Sequence, residues 1–374
     1  MKRCRKCNIQ EGKFNVVLDE DGICNFCTFL DQKKSEITDY ENRERLLVQR
    51  FEKYRGKYQY DAVVGLSGGK DSTYVLCQIV RKYQLNAIAV TFDNGFLTEY
   101  AKKSIADTVA KLGVDHQYYK PNWENHRKLY KYATEKVGNP CIACALAGYF
   151  LAIKACYENR IPFFVHGRSP FQMYRNFHEK STDMFLTLSK LNLMEHSFAE
   201  LARVYRMIND YVRQVVIKMA ETEDEGKQVV DEFFIDSTKL TGEFTPEFLG
   251  YFLFEEYDED SIKSYLEETL GWKRPSSDDL LGHYDCALHE ASGYMFSELN
   301  GMSMLEREIA VMFRFGVISR DRADKLLKSS QPTPGNLDQS LNALCDVCGV
   351  SREDMEKTIA VLKRGGTSWF ETLL

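Results

Sequence analysis

The chain has 374 residues, of which 44% are hydrophobic and 13% aromatic, so it holds enough apolar material for a packed interior and is not expected to be disordered. Its formal net charge of −6 disfavours nucleic acid as a partner and favours a small-molecule substrate, because surfaces that hold nucleic acid usually carry a basic field. The N-terminus is not followed by an apolar signal segment, and no run of 18 apolar residues occurs, so we expect a cytoplasmic protein with no membrane contact.

Paired cysteines dominate the first part of the chain. Eight of the eleven cysteines form four Cys-x-x-Cys pairs, which in a cytosolic protein indicates metal or redox chemistry rather than disulfides. Cys4 and Cys7 are separated from Cys24 and Cys27 by an alternating segment with an Asp-Glu-Asp-Gly turn, which predicts a hairpin between two thiolate pairs. Four thiolates in this arrangement suit structural zinc, so residues 1–45 are predicted to form a zinc ribbon; a labile iron–sulfur site is the alternative.

A glycine-rich turn follows the first predicted strand. The β-branched run at 62–64 predicts a strand, and an amphipathic pattern from Ser72 predicts a helix directly after the turn. A strand, loop and helix in this order direct free backbone N–H groups and the positive helix end at a phosphate. The turn does not fit the Walker A pattern, because Asp71 follows Lys70 where Ser or Thr is required.

Further strands and helices alternate along the chain. Strands are predicted at 86–96, 114–120 and 161–169, and a helix is predicted at 98–113. This alternation predicts an α/β fold with a doubly wound, mainly parallel sheet, with ligand contacts at the carboxyl ends of its strands.

The glycine-rich turn resembles a known nucleotide loop. Ser67, Gly68, Gly69, Asp71 and Ser72 match the SGGxDS loop of the PP-loop ATP pyrophosphatase superfamily, whose fold is of the adenine nucleotide alpha hydrolase (Rossmann) type. The resemblance implies cleavage of ATP between its α and β phosphates, which yields an adenylated acceptor and pyrophosphate. It implies catalytic roles for Lys70 and Asp71, with Asp71 placing Mg²⁺, and an ATP site formed by Leu66, Ser67, Gly68, Gly69, Lys70, Asp71, Ser72, Asp93, Gly167 and Arg168.

Within that superfamily the chain is most similar to the N-acetyl sugar amidotransferases. The similarity is carried by GICNFC, YDAVVGLSGGKDSTYV and VTFDNGF, and resumes more weakly at DCALH. It implies that AMP is transferred to a sugar amide oxygen, which ammonia then replaces. A nucleophilic cysteine in a strand-to-helix elbow is missing from the sequence, so the ammonia is expected from a separate glutaminase.

Cys141 and Cys144 depart from that group. The pair resembles the paired cysteines of PP-loop tRNA thiolases, in which two such cysteines and a distant third bind a [4Fe–4S] cluster and leave one iron open for sulfide. Here Pro140 places the pair at a predicted helix start, where the helix dipole is expected to lower the thiol pKa. The alternative function is therefore sulfur transfer to a small molecule or tRNA, through a cluster or a cysteine-bound sulfur, with a sulfur donor protein as partner.

Several cysteines and acidic residues are candidates for the third cluster ligand and for a site in the C-terminal half. Cys286 is the main candidate for a catalytic, cluster-binding third thiol; Cys156 and the pair at 345 and 348 are further candidates, although Cys156 also fits a helical core position. Asp278, Asp279, His283 and Asp285 are weaker candidates for a second metal or for substrate. The predicted domains are the ribbon, a PP-loop domain at 46–225, and a helical region at 226–374 that serves substrate binding or homodimer formation.

Overall fold

The computed structural model describes residues 2–177, 187–188, 191–273, 285–330 and 333–365. Its centre is a five-stranded sheet in the order β3-β2-β1-β4-β5, in which every neighbouring pair is parallel. The strands are β1 (Ala62–Gly65), β2 (Ala87–Phe92), β3 (Asp115–Tyr119), β4 (Phe163–His166) and β5 (Glu247–Gly250). The predicted fold class is confirmed.

The strand order creates a crevice beside β1. From β1 the chain continues to β2 and β3 on one side, then crosses to β4 and β5 on the other side. Ala62 pairs with Ala87 of β2 and with Phe163 of β4, so β1 lies in the middle of the sheet. Connections that leave in opposite directions open a crevice at the carboxyl ends of the central strands, where doubly wound proteins bind ligands.

The described residues include fifteen α-helices, and most of them cover the two faces of the sheet or build the C-terminal region. They are α1 (Asn25–Ile37), α2 (Tyr40–Tyr54), α3 (Lys70–Cys77), α4 (Glu99–Leu112), α5 (Trp123–Tyr132), α6 (Cys141–Glu158), α7 (Pro170–Met173), α8 (Phe198–Met219), α9 (Glu223–Phe233), α10 (Glu259–Leu270), α11 (His289–Asn300), α12 (Met304–Phe315), α13 (Arg320–Ser329), α14 (Pro334–Cys348) and α15 (Arg352–Gly365).

The segment predicted to be helical also contributes a strand. β5 lies at 247–250, inside the region 226–374, and is fully buried. Its place is held by side chains from elsewhere: Arg50 pairs with Glu247 at 2.6 Å, and the Asn192 amide donates to the Phe248 carbonyl at 2.8 Å. A strand of four residues shows no alternation of its own, so only its long-range partners mark it as part of the sheet.

α6 is the central helix of the larger core. By length and composition it could cross a membrane, yet half of it is buried inside the protein. Leu146, Phe150 and Ile153 belong to the core cluster that also includes Val63 and Phe164 of the sheet. These contacts are those of a core helix of a folded domain, and its first turn lies at the crevice.

The N-terminal segment packs against the C-terminal helices. It contains two isolated antiparallel bridges, Arg3 with Gln10 and Leu18 with Cys24, in place of a continuous hairpin. Phe14 stacks on Phe296 of α11 with ring centroids 5.7 Å apart. The cysteine-rich N-terminal segment therefore packs against helices of the C-terminal region.

Candidate functional site

A cavity of about 520 Å³ opens at the carboxyl ends of β1, β2 and β4. The predicted ATP residues that line it are Leu66, Ser67, Gly69, Lys70, Asp71, Ser72, Gly167 and Arg168. Cys141, Cys144 and Cys286 line the same cavity. The glycine-rich loop after β1 and the three cysteines thus line the same cavity.

Hydroxyl groups hold the loop after β1 in shape. The Ser72 hydroxyl accepts from the Ser67 N–H at 3.1 Å and donates to the Gly69 carbonyl at 3.1 Å. Gly68 has φ +87°, and a Cβ there would lie 2.6 Å from the carbonyl oxygen of Ala101 in α4. Glycine is required at this position, because a side chain would both strain the backbone and clash with a neighbouring main chain.

The N-terminus of α3 is free of side-chain capping. Gly69 occupies the N-cap position and makes no side-chain cap bond, whereas Thr98 caps α4 and Asn122 caps α5. The first N–H groups of α3 therefore have no intrahelical or side-chain acceptor where they face the cavity. Together with the helix dipole they favour an anion such as a phosphate.

Lys70 lies among acidic side chains. Its Nζ is 3.1 Å from Asp71 Oδ2 and 3.9 Å from Glu259 Oε1. Desolvation alone would lower the pKa of Lys70, but the charges of Asp71 and Glu259 outweigh it and keep the pKa above its ordinary value. Tyr257 donates its hydroxyl to Asp71 Oδ1 at 3.0 Å, so the carboxylate is oriented from both sides. Lys70 therefore remains a cation at neutral pH and can bind a phosphate group.

The three thiols come from two parts of the chain. Cys141 and Cys144 lie in the first turn of α6, as Pro140 predicts. Cys286 follows the undescribed segment 274–284 and is positioned by backbone contacts, an antiparallel bridge to Leu97 and a hydrogen bond from Ala287 N–H to the Phe96 carbonyl at 2.9 Å. Backbone contacts with the loop after β2 therefore hold Cys286 at the cavity that Cys141 and Cys144 of α6 also line.

Desolvation works against ionisation of Cys144 and Cys286, which are half-buried; the Cys141 residue is exposed. Desolvation raises the pKa of Cys144 to about 12, and desolvation together with the neighbouring thiols raises the pKa of Cys286 well above its ordinary range. The predicted lowering by the helix dipole is outweighed by this environment. Such thiols are poor free nucleophiles at neutral pH, but a metal would draw off their protons on binding.

The spacing of these sulfurs differs from that in the N-terminal segment. Among the described residues, Cys4, Cys7, Cys24 and Cys27 form the one group of metal-binding side chains whose ligand atoms all lie within 4.8 Å of one another. Cys141, Cys144 and Cys286 do not form such a group, so at least two of their sulfurs lie more than 4.8 Å apart. A cluster whose irons occupy separate corners suits wider spacing.

The N-terminal four cysteines have the geometry of a metal site. Cys4 and Cys27 sulfurs are 3.8 Å apart, and Cys7 and Cys24 sulfurs are 3.6 Å apart. Four sulfurs at about 2.3 Å from one zinc ion lie about 3.8 Å from each other, so the set fits one tetrahedral ion. Arg314 of α12 is 3% exposed and points a guanidinium nitrogen at the Cys7 sulfur at 3.6 Å.

Other predicted residues lie away from the cavity or outside the described chain. Asp93 accepts from the Gly95 N–H at 3.1 Å and its carboxylate lies 3.4 Å from Lys120, and it is not among the lining residues, so its role in ATP binding stays a prediction. Cys156 is buried, and so are Cys345 and Cys348, all three within the larger core. Asp278, Asp279 and His283 fall outside the described residues.

Several site residues were not found from the sequence. Asn94 and Glu259 line the cavity, and Tyr130 lies within 2.7 Å of the Cys144 sulfur. Asp285, which the sequence did offer as a weaker candidate, also lines the cavity, and a Cβ placed on Gly69 would lie 4.0 Å from its Oδ2. The position of Asn94, directly after Asp93 at the end of a predicted strand, could have indicated it from the sequence. No local pattern could have indicated Tyr130 or Glu259, because only tertiary packing brings them to the cavity.

Comparisons with known proteins give weak similarity. No family model matches the chain, and no curated protein matches it. Among solved structures, the U34-tRNA thiolase NcsA from Methanococcus maripaludis with its [4Fe–4S] cluster aligns over 93% of this chain and 96% of its own, at 16% identity and a TM-score of 0.33. The NMN synthetase from Francisella tularensis aligns over 38% and 60%, at 15% identity and a TM-score of 0.28. The function is therefore inferred from this chain's own residues.

Proposed function

We propose that the protein is an ATP pyrophosphatase of the PP-loop type that adenylates a carbonyl oxygen of an acceptor and then replaces that oxygen with sulfur. The observation that carries the proposal is the shared cavity, which is lined both by the glycine-rich loop after β1 and by Cys141, Cys144 and Cys286. An enzyme that only bound or cleaved nucleotide would have no use for three converging thiols beside its phosphate loop.

The first step is adenylation. The acceptor oxygen attacks the α phosphate of ATP, the bond to the β phosphate breaks, and pyrophosphate leaves. The free N–H groups of α3 and the charge of Lys70 would hold the leaving pyrophosphate, and Asp71 would help to place Mg²⁺. Arg168, which also lines the cavity, adds positive charge on the β4 side.

The second step exchanges oxygen for sulfur. Hydrosulfide attacks the activated carbon, and AMP departs with the original oxygen, so the products are the thiolated acceptor and AMP. Cys141, Cys144 and Cys286 are the residues that would hold a [4Fe–4S] cluster, and such a cluster, when bound, offers an open iron for sulfide. Their donor set fits that group, because the three thiols line one cavity without all lying within 4.8 Å of one another, and three protein ligands leave one position open.

The cysteines favour sulfur over nitrogen as the transferred atom. The amidotransferase interpretation, which sequence resemblance preferred, assigns no task to a three-thiol set in the nucleotide cavity. The sulfur-transfer alternative assigns it one. The net charge of −6 supports a small-molecule acceptor, and a separate sulfur donor protein would supply the sulfide.

Metal analysis tests the proposal directly. Protein purified without oxygen is expected to carry about four irons and four acid-labile sulfides per chain, and to bind Mg·ATP. The measurements are iron and sulfide assays, the visible absorbance spectrum, and calorimetry with an ATP analogue that resists cleavage between the α and β phosphates. Protein that binds the analogue but contains zinc and no iron would contradict sulfur transfer through a cluster and would leave ammonia as the nucleophile to test.

We also propose zinc for Cys4, Cys7, Cys24 and Cys27. The Cys24 and Cys27 thiols, together with the charge of Arg314, lower the pKa of Cys7 below its ordinary value. A zinc ion with four thiolates carries net negative charge, which would offset the buried guanidinium.

Loss of this zinc is expected to detach the N-terminal segment. In Cys24→Ser, zinc should fall from one ion per chain to none, because the segment has few apolar side chains with which to fold alone. Limited proteolysis should then cut within residues 2–24, and Mg·ATP binding should persist. Zinc is measured by mass spectrometry of the metal, with Cys77→Ser, a buried cysteine of α3, as the control. Zinc retained at one per chain in Cys24→Ser would contradict the assignment.

A further inference from the structure

Asn94 joins the two parts of the three-cysteine set. It follows β2, is 8% exposed, and lines the cavity. Its side-chain nitrogen lies 3.5 Å from the Cys144 sulfur and 3.6 Å from the Cys286 sulfur. One amide group therefore reaches a thiol of α6 and the thiol that follows the distant segment 274–284.

The orientation of that amide is determined by the backbone. The Phe96 N–H donates to Asn94 Oδ1 at 2.8 Å, so the oxygen is occupied and the two hydrogens of Nδ2 point the other way, to the sulfurs. The main-chain carbonyl of Asn94 accepts from the Tyr130 hydroxyl at 3.4 Å, and the same hydroxyl lies 2.7 Å from the Cys144 sulfur. The Phe96 N–H thus fixes the amide of Asn94, and Tyr130 contacts both the main chain of Asn94 and the Cys144 sulfur.

An amide suits two metal-bound thiolates for a physical reason. It provides two N–H donors and no charge, and each thiolate sulfur can accept one of them. Hydrogen bonds to ligating sulfurs withdraw electron density, which stabilises the reduced form of an iron–sulfur cluster and raises its reduction potential. A lysine or arginine in this place would bring a charge as well, and an aspartate would repel the thiolates.

We propose that Asn94 is a positioning residue that orients Cys144 and Cys286 toward a shared iron–sulfur cluster and raises the reduction potential of that cluster. The inference rests on the proposed function, since it requires that the three thiols bind the cluster. It assigns Asn94 no contact with the transferred phosphate and no role in adenylation.

Two substitutions separate the donors from the shape of the side chain. Asn94→Asp keeps the shape and removes the N–H donors, and Asn94→Leu removes polarity at similar volume. The matched control is Asn209→Leu, since Asn209 is also buried, at 3% exposed, and donates to the Ile235 carbonyl at 2.9 Å, away from the cavity. All variants are first checked for native circular dichroism and for binding of the non-cleavable ATP analogue.

The expected result is a lower reduction potential in both Asn94 variants, with the larger shift in Asn94→Asp, measured by a redox titration followed by visible absorbance and electron paramagnetic resonance. Iron affinity, measured by competition with a chelator, should fall about 10- to 100-fold. Asn209→Leu should match the wild type in both reduction potential and iron affinity. Potentials and iron affinities of the Asn94 variants equal to the control's would overturn this inference alone, and a wild-type protein without iron would overturn it together with the proposed function. Should Asn94→Leu fail to fold, Asn94→Asp decides.

Discussion

Replacement of Cys144 with Ala is expected to lower the iron content from about four atoms per chain to fewer than one and to abolish sulfur transfer, while the affinity for Mg·ATP is unchanged. The reason is geometric: Cys144 lies in the first turn of α6, lines the cavity with Cys141 and Cys286, and accepts a hydrogen bond from the Asn94 amide at 3.5 Å. Two remaining thiols cannot hold a cluster that needs three ligands. Cys286→Ala should behave in the same way.

Matched cysteine variants provide the control. Cys156 lies on the same helix, fully buried, with its thiol directed at the Phe163 carbonyl. Cys348 is buried on α14 and contacts Thr134. Cys156→Ala and Cys348→Ala should retain full iron and lose only stability, about 1 kcal/mol each for the small volume removed. Iron retained in Cys144→Ala, or lost in Cys348→Ala, would show that a different set of thiols binds the cluster.

The second large effect is expected at the phosphate loop. Asp71→Asn should lower pyrophosphate release from ATP about 10²- to 10³-fold, because it removes a negative charge that orients Lys70 and helps to place Mg²⁺. The iron content should not change, since the carboxylate is bonded to Tyr257 and Lys70 and not to a thiol. Pyrophosphate is measured in a coupled assay with sulfide and an extract of small metabolites as the source of acceptor.

An exposed aspartate supplies the control for charge. Asp107 of α4 pairs with Lys103 at 2.8 Å on the surface, so Asp107→Asn makes the same change of charge away from the cavity. It should leave both pyrophosphate release and iron content at wild-type values. Pyrophosphate release in Asp71→Asn equal to that in Asp107→Asn would contradict the assignment of the loop to ATP cleavage.

The two kinds of variant are expected to separate the two halves of the reaction. Cysteine variants should lose iron and keep nucleotide binding, and Asp71→Asn should lose adenylation and keep iron. Such a separation follows from the layout of the cavity, in which the loop after β1 and the first turn of α6 are distinct elements that meet at the carboxyl end of the sheet.

Local patterns predicted most of the α/β unit. The run at 62–64 became β1, the pattern at 98–113 became α4 with Thr98 as its cap, and Pro140 preceded a helix that begins at Cys141. These signals succeed because hydrophobic period, caps and turn residues act within a few residues of the chain. β5 was not anticipated, since four buried residues carry no period and depend on Arg50 and Asn192 from other segments.

By itself, the sequence determined the kinds of chemistry present: a phosphate loop with the order Ser-Gly-Gly-Lys-Asp-Ser, two thiolate pairs near the N-terminus, and a third pair at a helix start. The tertiary structure alone decided how they combine. It brings Cys286 to Cys141 and Cys144 across more than a hundred residues, through backbone bonds to the loop after β2, and it leaves Cys345 and Cys348 in the core. The physical reason is that ligand sets form between elements distant in sequence, where packing and not local pattern fixes which side chains meet.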